Sequence, residues 1–239
     1  MASVIVVGAK GRMGRLICDA VEDAEGLELV SCYDVENIDQ LDEEAPAVDL
    51  VIDFSRPDAL AHVRAYVLRT GAALLSGTTG FSPEQLASIE ALGTGSPVAW
   101  SSNYSLGVAV LRRLAAQAAE ALAEFDIEIV ETHHNQKADA PSGTAKALLA
   151  AVDPFAECDV VYGREGFTGV RPVREIGMHA LRGGTVAGTH EVHFFGEDEE
   201  VVLTHRAASR QIFVNGAIAC AQRLVGRDPG VYTVDDLLF

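Results

Sequence analysis

The sequence predicts an α/β protein: a doubly wound parallel sheet, with a smaller α+β region inserted before a C-terminal helix. Three observations predict it. Short aliphatic runs alternate with helical stretches over residues 1–104, the pattern of a parallel sheet covered by helices on both faces. Between Asp126 and His205 the runs alternate apolar and polar residues instead, as in His190-Glu191-Val192-His193-Phe194, which suits a mixed or antiparallel sheet. Helical patterning returns at Ile212–Leu224. The expected division is therefore 1–104 with 211–239, and an inserted domain over 105–210.

In chain order, Ser3–Val7 is the first strand. Gly8-Ala9-Lys10-Gly11-Arg12-Met13-Gly14 turns it into a helix over Arg15–Glu22. Glycines at such a turn let the backbone bend sharply and approach a pyrophosphate, and the helix N-terminus adds N–H groups and a positive dipole end. The spacing is G-x-x-G-x-x-G instead of G-x-G-x-x-G, and a plain packing turn would look the same. The second strand, Leu27–Tyr33, ends in Asp34, where a carboxylate can hydrogen-bond adenosine ribose hydroxyls. Together the two features point to a nucleotide.

Val35–Asp49 is acidic and reads as a solvated loop or one helical turn. Leu50–Phe54 is the third strand, with Ser55 as N-cap and Pro57 in the first turn of a helix that runs through Leu68 to Gly71. Ala72–Leu75 is the fourth strand. Ser82-Pro83-Glu84-Gln85 has capping-box form, and Val98–Trp100 is a fifth strand. Ligands of such sheets bind beyond the carboxyl ends of the strands. Gly8, Ala9, Lys10, Gly11, Arg12 and Met13, then Asp34, then Gly77, Thr78 and Thr79, then Ser101, Ser102, Asn103 and Tyr104 all fall at those ends. They are the expected nucleotide contacts of a Rossmann-type domain.

Gly107–Phe125 reads as a long helix, followed by strands at Asp126–Glu131, Asp159–Tyr162, Ile176–Leu181, Thr189–Phe195 and Glu200–His205. The densest polar stretch, Glu131 to Thr144, lies between the first of these strands and an alanine-rich helix. It reads Glu-Thr-His-His-Asn-Gln-Lys-Ala-Asp-Ala-Pro-Ser-Gly-Thr. Ser142 as N-cap puts Gly143 and Thr144 at the helix start, a position that favours an anion. Lys137 adds a compact positive charge, and a histidine is the side chain best poised to give a proton near neutral pH. Adjacent histidines in a strand point to opposite faces, so one of His133 and His134 could be structural. Glu131 and Asp139 are assigned to support. Arg182 is open between a substrate-facing and a surface role. Metal sets built from His133, His134 and Asp139, or from His190 and His193, meet no zinc spacing, and no metal is expected.

The chain has 239 residues, 49 % of them hydrophobic, and a formal charge of −17. That charge argues against nucleic acid or an anionic membrane as partner. Lys10, Lys137 and Lys146 are the only lysines, against 35 acidic residues, a skew that suggests a solvated acidic shell suited to high salt. Cys18, Cys32, Cys158 and Cys220 form no C-x-x-C pair and read as reduced thiols in a cytoplasmic protein. Neither a basic signal region nor an apolar run of bilayer length is evident.

Gly8 to Gly14, Asp53-Phe54-Ser55-Arg56-Pro57, Gly77-Thr78-Thr79-Gly80-Phe81, Asn103-Tyr104-Ser105-Leu106-Gly107 and above all His-His-x-x-Lys-x-Asp-Ala-Pro-Ser-Gly-Thr at 133–144 resemble the 4-hydroxy-tetrahydrodipicolinate reductases. The resemblance runs through essentially the whole chain. It implies reduction of a cyclic dicarboxylate by NADH or NADPH on the diaminopimelate route to lysine, with His133 as catalytic acid and Lys137 as its partner. It also implies substrate contacts from His134, Gly143 and Thr144, a homotetramer built through the second sheet, and closure of the two domains as the working motion. Val35 stands where some members have an arginine for the NADP 2′-phosphate. A carboxylate at Asp34 with no adjacent cation favours NADH, although Lys10 and Arg12 could receive that phosphate. Rival readings are another two-domain NAD(P)-dependent amino-acid or hydroxy-acid dehydrogenase, and a nucleotide-sensing regulator without chemistry.

Overall fold

Strands buried on both faces need no polar alternation, and the apolar runs near the N-terminus form the middle of a parallel sheet for that reason. The computed structural model describes residues 1–239, which divide into two units, Met1–Leu106 with Gln211–Phe239, and Gly107–Arg210.

The first unit holds β1 (Ala2–Val7), α1 (Arg12–Asp23), β2 (Leu27–Tyr33), α2 (Gln40–Glu43), β3 (Leu50–Asp53), α3 (Leu60–Thr70), β4 (Ala73–Ser76), α4 (Pro83–Glu90) and β5 (Pro97–Trp100). With β11 (Gly230–Tyr232) from the C-terminal end of the chain, its six strands run in the order β11-β5-β4-β3-β1-β2, all parallel. The strand order reverses beside β1, which places a crevice at the carboxyl ends of β1 and β3. Ile5, Val7, Val51 and Leu74 meet Val63, Tyr66 and Val67 of α3 in one core. Two glycines fix the first turn. Gly8 has φ +81°, and a Cβ there would lie 2.5 Å from the Phe54 carbonyl oxygen. A Cβ on Gly14 would lie 2.0 Å from the Gly8 carbonyl oxygen, so α1 can sit against the turn only with glycine.

Three features differ from the sequence expectation. α1 begins at Arg12, not Arg15, because extended Gly11 is its N-cap. Ser55 does not cap the third helix: its hydroxyl donates to Asp53 at 2.5 Å, and a 3₁₀ turn over Pro57–Ala59, preceded by extended Arg56, leads into α3. A sixth strand, three residues long, is added at the β5 edge. At α4 the capping box of Ser82 and Gln85 forms as its residue pattern indicates.

The second unit is built of α5 (Leu106–Ala121), β6 (Asp126–His133), α6 (Gly143–Val152), β7 (Asp159–Val161), β8 (Glu175–Arg182), β9 (Gly188–Phe195) and β10 (Glu200–Ala207). The mixed sheet has the order β10-β9-β6-β8-β7. β6 is parallel to β8 and antiparallel to β9. One face packs Ile129, Ile176, Met178, Val192 and Phe194 against Leu111 and Ala115 of α5 and Ala145 and Leu148 of α6. The other face carries Glu128, which accepts hydrogen bonds from Arg164, Arg171 and His179. Burial pushes the Glu128 carboxyl up, but these donors and the Arg164 charge bring it down to about 2. Leu181, Phe195 and Val202 are exposed on this face, and Phe167, Val170 and Val173 are exposed in the β7–β8 connection. After β10 the chain returns to the first unit through α7 (Gln211–Leu224), β11 (Gly230–Tyr232) and α8 (Val234–Leu238). No helix is long and apolar enough to cross a membrane.

Candidate active site

In the first unit, residues that follow β1, β2 and β3 enclose a cleft of about 550 Å³. Gly8, Lys10, Gly11 and Asp34 line it, together with Phe54, Ser55 and Arg56. The Asp34 carboxylate is aimed by backbone donors: Lys10 N–H reaches Oδ2 at 2.7 Å and Val35 N–H reaches Oδ1 at 2.8 Å. Lys10 Nζ lies 3.1 Å from Glu36, both side chains being more than half exposed.

Ala9, Arg12 and Met13 belong to the same turn but do not line the cleft. Gly77, Thr78 and Thr79 follow β4, and Ser101, Ser102, Asn103 and Tyr104 follow β5, also outside it. Asp53 holds the first of these segments. It ends the apolar strand β3, is 1 % exposed, and accepts from Ser55 N–H and Oγ, Ser76 Oγ and Thr78 Oγ1. Burial raises its pKa, against the pull of those hydroxyls. Thr78 is thus committed to Asp53, and also accepts from Ser55 N–H at 2.8 Å. Tyr104 is buried, with its hydroxyl donating to the Ser76 carbonyl at 2.8 Å. Ser101 Oγ accepts from Asn103 N–H at 3.1 Å, closing a local turn.

In the second unit the polar end of the helix-covered face converges on Glu131, which is 0 % exposed. Residues two apart on a strand share a face, so Glu131 and His133 lie together at the end of β6. His133 Nδ1 is 2.5 Å from Glu131 Oε2. Arg182, paired with His133 in the β6–β8 register, donates through Nη1 to Oε2 at 2.9 Å and through Nη2 to Oε1 at 2.8 Å. Ser142 N–H also reaches Oε1, at 3.1 Å. Charged donors of this kind are what a buried carboxylate requires. They hold Glu131 below its ordinary range although burial acts the other way. Arg182 is therefore a partner of Glu131, and its Nη2 also donates to the Asp139 carbonyl at 2.7 Å.

Ser142 caps α6 by accepting Ala145 N–H at 3.1 Å. Gly143 and Thr144 then occupy the first helical positions, at the positive end of the dipole. Beyond the strand, Lys137 N–H donates to the His134 carbonyl at 3.2 Å. Lys137 Nζ lies 2.8 Å from Asp139 Oδ1 and holds that carboxyl below its usual range. Nδ1 of His134 is buried without a hydrogen-bond partner. Burial lowers the His133 pKa, Glu131 opposes this, and the charges of Lys137 and Arg182 add to the lowering. The result is an imidazole oriented through Nδ1 that gives up a proton readily, beside a helix start with a positive dipole end.

Sequence reasoning weighed His190 only as a metal ligand and quoted Asp53 only within a motif, and gave neither a place in the site. His190 Nε2 is 3.1 Å from Ser142 Oγ, and its ring stands edge-on to His133 with centroids 5.1 Å apart. The available signal was positional: His190, Val192 and Phe194 share one face, and the histidine is its polar end. For Asp53 it was a carboxylate closing a strand that is otherwise entirely apolar.

Residues 2–104 match the family model described as dihydrodipicolinate reductase, N-terminus, and residues 107–238 match the corresponding C-terminus. The chain is 40 % identical over 261 residues to the 4-hydroxy-tetrahydrodipicolinate reductase of Alkalilimnicola ehrlichii, covering 98 % of each chain. It is 42 % identical over 246 residues to that of Akkermansia muciniphila, covering 100 % of this chain and 98 % of the relative. Among solved structures, a dipicolinate-bound dihydrodipicolinate reductase from a Paenisporosarcina species superposes with a TM-score of 0.77 at 22 % identity, over the full length of both chains, a likeness of fold. With both halves matched in order and close relatives along its whole length, the chain belongs to the dihydrodipicolinate reductase family.

Proposed function

We propose that the protein reduces 4-hydroxy-tetrahydrodipicolinate, or its dehydrated form, to tetrahydrodipicolinate on the diaminopimelate route to lysine. The observation that carries this reading is the Glu131–His133 pair beside the capped start of α6. A reduced nicotinamide nucleotide supplies the hydride when bound. Gly8 to Met13 are suited to its pyrophosphate and Asp34 to its adenosine ribose. Gly77 to Thr79 and Ser101 to Tyr104, braced by Asp53 and Tyr104 themselves, complete the contacts.

On the second unit, Lys137, His134 and the helix start at Gly143 and Thr144 take the substrate carboxylates. The unpartnered, buried Nδ1 of His134 supports its share in this. Reduction of a conjugated imine leaves an enamine-like anion. His133 gives it a proton from Nε2, while Glu131 keeps Nδ1 engaged and stabilises the orientation of the ring. Lys137 sharpens the acid by disfavouring its charged form and attracts the dicarboxylate.

NADH serves at least as well as NADPH in this proposal. The backbone-held carboxylate of Asp34 would face a 2′-phosphate, and Val35 beside it offers no cation. The exposed apolar residues on the uncovered face of the second sheet suit a homotetramer, and the site of action is the cytoplasm.

A coupled spectrophotometric assay with freshly generated substrate tests the reading by following NADH and NADPH oxidation. Turnover with NADH is expected, and turnover confined to an amino or hydroxy acid would replace it. His133→Gln should lower kcat by about 10²- to 10⁴-fold with the NADH KM unchanged; a near-normal kcat would take the acid role from His133.

A further inference from the structure

We propose that His190 is a positioning residue for the substrate clamp: it holds Ser142, the N-cap of α6, and so fixes the helix start that receives a carboxylate, while its ring braces His133. The inference rests on the functional reading above and adds a residue to that site.

The backbone lattice puts His190 there. On β9 it pairs with Glu131 of β6, and His205 of β10 pairs with it from the other side. The side chain is buried, at 4 % exposure. Ser142 Oγ already accepts Ala145 N–H, which leaves the hydroxyl proton for His190 Nε2 at 3.1 Å. With its backbone N–H on Glu131 and its hydroxyl on His190, Ser142 is held from two neighbouring strands. The edge-on contact at 5.1 Å limits rotation of the His133 ring, and the β9 backbone crowds the same ring, since a Cβ on Gly188 would come within 3.1 Å of His133 Nε2. Burial, and then the charge of His133, bring His190 down to about 4. It is neutral near pH 7 and can brace a proton donor without competing for the proton.

Two variants separate the hydrogen bond from the ring. His190→Phe keeps an aromatic edge against His133 and loses Ser142. His190→Gln places an amide near the position of Nε2 and loses the ring. The readouts are the substrate KM and kcat and, independently of turnover, the Kd of dipicolinate, a planar dicarboxylate, measured by calorimetry.

His190→Phe is expected to raise the substrate KM and the dipicolinate Kd roughly 3- to 10-fold, the effect of one lost hydrogen bond, with the NADH KM unchanged. His190→Gln should leave both within about 2-fold while lowering kcat. Ser142→Ala also removes the cap to Ala145, so combining it with His190→Phe should weaken dipicolinate no more than Ser142→Ala alone, because that change already removes the hydroxyl that His190 holds. If His190→Phe does not fold, His190→Asn, polar but too short to reach Ser142, carries the same expectation. Equal losses in the Gln and Phe or Asn variants, unchanged affinity in both, or additive effects with Ser142→Ala would each overturn the inference. Dipicolinate binding without turnover by the unaltered enzyme would instead count against the functional reading.

Discussion

Glu131 sets how His133 titrates. Burial, Lys137 and Arg182 lower the His133 pKa from its ordinary value of 6.5, and Glu131 is the group that raises it. A reaction that needs protonated His133 slows as the pH rises through that pKa, so kcat should decline from below pH 6.5. Glu131→Gln removes the opposing carboxylate and should move this limb to lower pH. The kcat–pH profiles of the two enzymes make the check, and a limb that stays in place would assign the titration to another group. The same cluster shapes folding stability. His190 has a folded pKa of about 4, below the ordinary 6.5, and His133 and His205 are lowered in the same direction. The unfolded chain therefore binds more protons below pH 6.5. The stability due to neutral His190 is complete above that pH and is lost as the pH falls towards 4, by up to about 3 kcal/mol. Urea unfolding at several pH values should show the decline, with a shallower slope in His190→Phe. Glu128, held to about 2, acts in a separate window, between its ordinary 4.5 and 2.

At the scale of elements, the ends of β3 and β4 are tied by one buried carboxylate. Asp53→Asn replaces an acceptor of four hydrogen bonds with an amide that can accept at only one of its two positions. The segments carrying Ser55 and Thr78 should loosen, and the NADH KM should rise about 10-fold, the scale of one bond to a charged group. The dipicolinate Kd should not move, because its proposed ligands belong to the second unit. Equal losses on both ligands would mean general unfolding. What the sequence made legible here follows from what is local. Capping at Ser82 and Ser142, the glycine turn and the alternation of β9 each depend on neighbours a few residues apart. The strand β11 was not legible, since Gly230-Val231-Tyr232 opens on a glycine directly after Pro229, a sequence that reads as a turn. Ser55 looked like a cap by residue type, but its hydroxyl turns back to Asp53, whose carboxylate is fixed by Ser76 and Thr78 from more than twenty residues away. Arg182 and His190 reach Glu131 and Ser142 from 51 and 48 residues away; their placement depends on strand order, which periodicity does not encode.

At the scale of the molecule, charge is the dominant feature. The formal charge of −17 is spread over exposed acidic groups such as Asp39, Glu43 and Glu44 before β3 and the Glu197–Glu200 turn, where like charges crowd within a few residues. Two of the three lysines, Lys10 and Lys137, fall in the candidate sites. The fold thus places its scarce lysines where anionic ligands are proposed to bind, and carries self-repulsion elsewhere. Repulsion of this kind has a range set by salt: the Debye length is about 30 Å at 0.01 M and about 3 Å at 1 M. At low salt the acidic segments act on one another across the surface, whereas at molar salt each is screened from all but its nearest neighbours. The folded state, which brings the charges together, should gain more from screening than the expanded chain. Tm is therefore expected to rise by several degrees between 0.01 M and 1 M KCl, with most of the gain below 0.3 M, where the screening length has already fallen to several ångströms. An uncharged osmolyte at 0.3 M should not reproduce that early rise, because it strengthens burial without screening. A Tm that is flat across the series would mean that the acidic shell is already solvated without strain, and would remove the high-salt reading of this composition.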